Sequence, residues 1–592
     1  METLLLTVVP LVGYLIAYHV YGKYLARKIF RLDDSRPVPS RELEDGTDYV
    51  PTRKGIIFGH HYTSIAGTGP IVGPAIGIIW GWVPALIWVF VGSIVMGAVH
   101  DFGSLVVSLR NEGKSLSDIA GPLINKRVRT IFFLIVFFEL WIVIAIFGLI
   151  IGLLFARYPQ SVFPIWMEIP IAVALGYAIY KRGASVYVAT AIAVVAMYIT
   201  VALGHWLQIS LPQEVTLPLT GFTLPAVSVW IIILLVYAFI ASTLPVTTLL
   251  QPRDFINGWQ LFIAMGLLLM GAIAASTTAG LEIVAPAFNA SPTGAPPLWP
   301  FLFVTIACGA ISGFHCLVAS GTTPKQVSKE GDALFVGYGS MLLEGALAVL
   351  VIVAVGAGIG MQYRVPGADP ETFTVLTGRQ AWAAHYASWA GASGLGSKLE
   401  AVVTGSANMM ATFGVPFALG IIIMGVFIAS FAGTTLDTAT RIQRYVLAEL
   451  GEDLRIRPLT NRFIATGIAI VTAAALAFVT GANGMGAMKL WPMFGAVNQL
   501  LASLALLIVT VYLRRRLKWG WLVTALPMVF MLVMTHYAMV LNELSFVNKG
   551  DWLLVVANAL VQVLAVWMTI EAIIVFFRGS PAEAPSPVAA EA

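Results

Sequence analysis

Apolar side chains fall in long runs along this chain, separated at fairly regular intervals by short polar stretches, and the runs have the length of bilayer spans. Windows of about twenty apolar residues lie at 3–22, 58–80, 82–109, 130–156, 165–180, 184–204, 226–250, 259–281, 299–321, 337–360, 412–435, 462–480, 491–513, 519–540 and 552–577. The pattern predicts an all-α polytopic membrane protein with about fifteen transmembrane helices. One window differs from a plain anchor. The stretch 58–80, FGHHYTSIAGTGPIVGPAIGIIW, carries two adjacent histidines, several hydroxyls, Gly67, Gly69, Gly73 and Gly77, and Pro70 and Pro74. Pro removes a backbone donor and Gly is costly in a helix interior, so a straight helix through Gly67 to Pro74 is disfavoured. In hydrocarbon, interrupted backbone survives only where protein or a watery cavity satisfies the freed groups. The window therefore reads as a discontinuous helix lining a buried polar site, the device secondary transporters use near the midplane.

Composition agrees. With 58% hydrophobic and 11% charged residues, the chain lies far from soluble proteins, in which about a quarter of residues are charged. When alternate connections are assigned to opposite sides, all but six of the 34 basic residues collect on one side; the exceptions are Arg157, Arg364, Arg379, Lys398, Lys489 and Lys549. The rich side is expected to be cytoplasmic, which puts the N-terminus outside and the C-terminus inside. This topology accounts for the net charge of +4, and nucleic-acid binding has no support. The first apolar run, Leu4 to Tyr21, lacks a basic leader and a small-residue cleavage site and is expected to be retained. Cys308 and Cys316 fall on one predicted helix roughly 12 Å apart, too far for a disulfide. No cofactor and no metal is expected. The segment from Met361 to Met410 is a candidate cap over the outer mouth, and the Pro/Ala/Glu-rich tail 579–592 is expected to stay unpacked.

A motif recurs. Gly59-x-His61-x5-Gly67-Thr68-x-Pro70 returns as Gly313-x-His315-x5-Gly321-Thr322-x-Pro324, on windows of opposite direction. The two interruptions are expected near Gly67 and Gly321, and opposed interrupted helices are the signature of inverted-repeat transporters. A few identities in a Gly-rich chain carry little weight alone; histidine, with only 8 copies, carries more. Against inversion, both copies lie toward the same side.

Ionisable residues inside spans are costly and mark candidate chemistry. His60 and His61 lie near a helix end, where they either cap carbonyls or handle a solute or proton; His315 is deeper. Asp101, Glu139 and Glu344 lie among apolar residues. An unpaired carboxylate there takes up a proton, whereas a paired one makes a static bond between helices. Thr434, Thr435 and Asp437 offer hard oxygens for a cation or a protonated partner, unless Asp437 pairs with Arg441 one turn on. Asn498 and Gln499 are placed to hydrogen-bond neighbouring helices. There is no Gly-x4-Gly-Lys-Ser/Thr phosphate loop and no His-Glu-x-x-His zinc motif, so energy would come from a gradient. An intramembrane metalloenzyme using His60, His61, Asp101 and His315, a channel and a nutrient sensor are the rival classes.

The stretches FGHHYTSIAGTGPIVGP, GAVHDFGSLVVSLRNEGKSL, SGFHCLVASGTTPKQ, GYGSMLLEG, ASFAGTTLDTATRIQRY and LWPMFGAVNQLLA, spread from Gly55 to about Leu513, resemble the carbon starvation protein A (CstA) family of bacterial inner-membrane transporters. The resemblance implies proton-coupled import of peptides, or alternatively of pyruvate, under carbon starvation. It also implies the inverted five-helix repeat core of LeuT- and APC-type carriers. On that reading 1–54 holds an N-terminal helix and cytoplasmic loop, 55–290 and 291–513 the two halves of the core, and 514–578 further helices. The substrate would lie on His61, Ser64, Gly67, Thr68 and Gly69 of the first broken helix and on His315, Ser320, Gly321, Thr322 and Thr323 of the second. Coupling would fall to His60, Asp101, Glu139, Glu344, Thr434, Thr435 and Asp437.

Overall fold

The computed structural model describes residues 2–216, 221, 223–366 and 373–578; the tail 579–592 lies outside them. Among the described residues, 13 helices are long and apolar enough to cross a membrane. The shorter helix Arg462–Phe478 and a segment in two pieces, Leu298–Thr305 and Gly313–Gly321, supply the other two of the fifteen expected spans. Depth in the bundle does not follow mean hydropathy. The apolar window is 100% buried in Ala487–Arg514, 94% in Lys54–Trp80 and 78% in Lys126–Arg157, which has the highest mean hydropathy of the 13, but 22% in Trp552–Arg578. Lipid receives a uniformly apolar helix as well as protein does, so hydropathy alone does not decide which helices take the interior.

The first broken segment matches the expectation. Helix Lys54–Ala66 stops at Gly67, whose φ of 36° and ψ of −145° exclude most side chains, and helix Gly69–Gly77 resumes two residues later. The second differs. Its interruption spans 306–312, between Leu298–Thr305 and Gly313–Gly321, so Gly321 closes the second half-helix and does not mark the break. The two copies of the Gly-x-His motif therefore stand differently: one precedes its break and the other follows it. Cys308 lies in the break and Cys316 in the helix after it, so they do not share a helix; both are free thiols.

The two interruptions touch. A Cβ placed on Gly69 would overlap the Cys308 side chain, one on Gly73 would come within 2.9 Å of the Thr305 carbonyl oxygen, and one on Gly77 within 2.5 Å of Ile306 Cγ1. Gly69, Gly73 and Gly77 recur every fourth residue, one face of the half-helix, and this bare stripe lets the backbones meet. Asn498 and Gln499, on the buried helix Ala487–Arg514, repair the second break. Asn498 Oδ1 accepts from the Phe314 amide at 2.9 Å, while Gln499 Nε2 donates to the Phe303 carbonyl at 3.1 Å.

Both ends are closed by loops. At one, helices Gly378–Tyr386, Trp389–Ala392 and Leu395–Ala411 fold over the first broken segment. Tyr386 donates to the Ala75 carbonyl at 2.5 Å, and the Trp389 and Trp80 rings lie 5.3 Å apart. At the other, the connection 30–53 runs as a strap. Thr52 and Val327 form a parallel bridge, Ser40 donates to the Val327 carbonyl at 2.6 Å, and Asp48 binds Arg441 at 2.6 Å and Arg444 at 3.1 Å. The helix expected to end near residue 435 runs on as Phe417–Asp453. Its charged residues find partners, and Arg441 is fully buried, so their polarity does not terminate it.

Candidate functional site

His61 ties the two broken segments together. Its Nδ1 shares a 2.8 Å hydrogen bond with Thr323 Oγ1, both fully buried. Two polar clusters flank this tie.

The first cluster is a chain. His100 Nδ1 lies 2.7 Å from Asp101 Oδ1, Asp101 Oδ2 lies 3.0 Å from His315 Nδ1, and His315 Nε2 lies 3.3 Å from Glu344 Oε2. It links helix Ala98–Leu109, half-helix Gly313–Gly321 and helix Ser340–Gly356. His315, expected at the substrate, thus stands between Asp101 and Glu344, two of the residues expected in coupling. Cys308 joins them: ligand atoms of Cys308, His315 and Glu344 lie within 4.8 Å of one another.

The second cluster was not foreseen. His60 Nδ1 meets Asp254 Oδ2 at 2.5 Å, and Arg253 donates to Asp254 at 2.8 Å, to both oxygens of Asp437 and to the Tyr237 hydroxyl. Glu168 Oε1 lies 3.8 Å from Arg253 Nε, and Ser430 donates to Glu168 Oε2 at 2.9 Å. Asp437 therefore pairs with Arg253 from another helix. Arg441, the alternative partner one turn on, turns to Asp48 and to the Ala241 and Leu244 carbonyls. Arg253 reads in sequence as a loop charge, yet Leu250–Thr278 is helical from its first residue and buries Arg253 and Asp254. Glu168 lies in an apolar window just as Glu139 does, so the test that singled out Glu139 was also the available signal for Glu168.

Thr434 and Thr435 lie where the first half-helix ends. Thr435 Oγ1 donates to the Ser64 carbonyl at 3.3 Å, Thr434 Oγ1 reaches the Thr63 carbonyl at 3.4 Å, and Ser64 Oγ lies 3.3 Å from Thr438 Oγ1. Carbonyls in the last turn of a helix lack intrahelical donors and carry its negative pole. Oxygens of four hydroxyls and two carbonyls thus gather at the end of this half-helix, before Gly67.

Other expected residues sit elsewhere. Ser320 donates to the Cys316 carbonyl at 2.7 Å, and the Thr322 amide donates to the Val318 carbonyl at 3.3 Å. Ser320, Gly321 and Thr322 therefore close a helix, and their amides do not face the junction. Thr68 is buried at the first break. Glu139 is fully buried with no hydrogen-bond partner for either oxygen among the described residues.

A bundle of membrane-spanning helices, with two interrupted segments in contact and buried ionisable chains around them, defines a multi-pass membrane protein with a transporter-like interior. A mutant manganese transporter of Eremococcus coleocola has a similar fold, with a TM-score of 0.51 at 12% identity over 90% of this chain and 99% of that one. The family model for carbon starvation protein CstA matches residues 2–538, and the chain belongs to that family. It is 32% identical to a peptide transporter CstA of Campylobacter jejuni, over 93% of this chain and 81% of that protein. The corresponding protein of Bacillus subtilis is 33% identical, with 88% of each chain covered. A pyruvate/proton symporter BtsT of Escherichia coli is 31% identical, with 90% and 80% covered.

Proposed function

We propose that the chain is a secondary active importer of a small carboxylate-bearing solute, peptides foremost, in a bacterial inner membrane. The observation that carries this is the contact of the two helix interruptions at Gly69 and Cys308, flanked by the Asp101–His315–Glu344 chain. The N-terminus of half-helix Gly69–Gly77 turns the positive pole of its dipole toward the junction, a seat for the solute carboxylate; Pro70 has no N–H and the Ile71 and Val72 amides donate to the Thr68 carbonyl, so the Gly69 amide is the one from this turn left to serve it. Gly67, Thr68, His61 and Ser64 border that seat. The His100–Asp101–His315–Glu344 chain passes the coupling proton, with His60 and Glu139 as further buried groups on its way. The end bearing Asp48, Arg441 and Arg444 is cytoplasmic, so the strap and the His61–Thr323 tie form the inner gate and the 378–411 helices the outer one. With both closed, the site is occluded. Two interrupted helices in contact, read from the hydropathy pattern as running in opposite directions, support an inverted repeat of five helices.

Proteoliposomes test this. Labelled di- and tripeptides should accumulate under an acid-outside gradient and leak back when a protonophore is added. Uptake indifferent to both pH and sodium gradients would remove the symport reading. Pyruvate is the second substrate reading, favoured by the 31% identity to a pyruvate/proton symporter; the same vesicles with labelled pyruvate decide between them. Sodium is the second coupling ion, favoured by the oxygens of Thr434, Thr435 and Ser64. A sodium gradient alone driving uptake would select it.

A further inference from the structure

We propose that Cys308, His315 and Glu344 form a three-ligand site for a divalent transition metal of borderline softness, zinc foremost, with a fourth position open. One ligand atom from each lies within 4.8 Å of the others, and the three come from different elements: the break, the half-helix after it and helix Ser340–Gly356. Cys308 Sγ makes one long hydrogen bond, 3.4 Å to Ser312 Oγ, and His315 Nε2 faces Glu344 Oε2 at 3.3 Å. His315 Nε2 and both Glu344 oxygens are buried without a hydrogen-bond partner among the described residues, although each residue is 0% exposed.

His315 is oriented for the task. Asp101 holds its Nδ1 at 3.0 Å and is itself held by His100 at 2.7 Å. An ionised carboxylate only accepts, so this bond keeps the proton on Nδ1 and leaves the Nε2 lone pair facing Glu344 and Cys308. Carboxylate–histidine–metal arrangements use this device to fix the ligand tautomer. A thiolate, an imidazole and a carboxylate suit zinc or cobalt and do not suit magnesium or calcium, which take oxygens. Thiolate and carboxylate together would balance the ion's charge. If the transport reading holds, a bound ion also occupies the lone pairs that proton passage needs and pins the second break to its neighbour, so it inhibits. The site itself does not depend on that reading.

The test uses the full-length protein purified in detergent, stripped with a chelator and titrated with cobalt(II) alone. One equivalent should give a thiolate-to-cobalt charge-transfer band together with intense d–d bands, and zinc should bleach both. Cys308→Ser should lose the charge-transfer band, Cys316→Ser should keep it, and Asp101→Asn should weaken binding by about 10–100-fold. If Cys308→Ser proves unfolded by size-exclusion chromatography, protection of wild-type Cys308 from alkylation by added zinc, read by mass spectrometry, gives the same answer. No saturable band, a band that survives Cys308→Ser, or unprotected Cys308 would overturn the site.

Discussion

Arg253 is engaged through both terminal nitrogens: two oxygens of Asp437, one of Asp254 and the Tyr237 hydroxyl accept from them, while Nε stands 3.8 Å from Glu168 without a hydrogen bond. Removing one member of a buried ionic cluster leaves the others uncompensated, at a cost of about 3–5 kcal/mol. Arg253→Gln should therefore lower the thermal midpoint of the detergent-solubilised protein far more than Arg364→Gln in strand Tyr363–Pro366 does. Equal midpoints would show that the cluster holds nothing together. At the strap, burial pushes the Asp48 carboxyl up, but Arg441, Arg444 and Lys325 beside it outweigh this and hold it down to about 2. A depressed carboxyl contributes stability above its unfolded value near ~4, and loses that contribution as pH falls through about 2. The contribution at neutral pH is on the order of 2 kcal/mol. Wild type should lose stability more steeply than Asp48→Asn between pH about 4 and 2, measured by unfolding midpoints; parallel slopes would contradict the pairing.

At the scale of elements, Gly67 at the first break and Gly321, which closes the second half-helix, differ in what they require. A Cβ on Gly67, already at φ 36°, would lie 2.7 Å from Thr435 Oγ1, whereas one on Gly321 meets Ile442 only at 3.5 Å, ordinary contact. Gly67→Ala should abolish uptake while Gly321→Ala leaves it within about twofold, since a helical Gly→Ala change costs nothing in propensity. The reverse outcome would put the second break back at Gly321. Asn498→Ala, which strips the cap from half-helix Gly313–Gly321, should cost about 1–2 kcal/mol of stability. The sequence made the first break legible because Gly67, Gly69, Pro70 and Pro74 all disfavour helix there. The second break was misplaced because 306–312 contains no proline and one glycine; what holds it open is tertiary, through Asn498, Gln499 and the glycine stripe of the other segment. Likewise Asp101, Glu344 and His315 stood out as charges in apolar runs. Arg253 and Asp254 did not, since a short polar stretch reads the same whether it is a loop or a helix end buried by partners.

Across the whole molecule, the fifteen apolar windows all carry helix, which is the property hydropathy reports best, because a bilayer forces every backbone group to be satisfied within the span. Which windows lie inside was less legible, since lipid receives an apolar helix as well as protein does and hydropathy does not tell the two apart. Orientation rests on the basic residues alone: a reporter at the N-terminus should be accessible from outside intact cells and one at the C-terminus only after lysis. On the proposed function, the solute sits where the two interruptions meet, beside Cys308. The alkylation rate of Cys308 in a Cys316→Ser protein reconstituted in vesicles, with and without saturating transported solute, reads this position. The predicted result is slower labelling with the transported solute and unchanged labelling with an untransported analogue. A solute that accumulates while Cys308 labels at the same rate would place the binding site elsewhere.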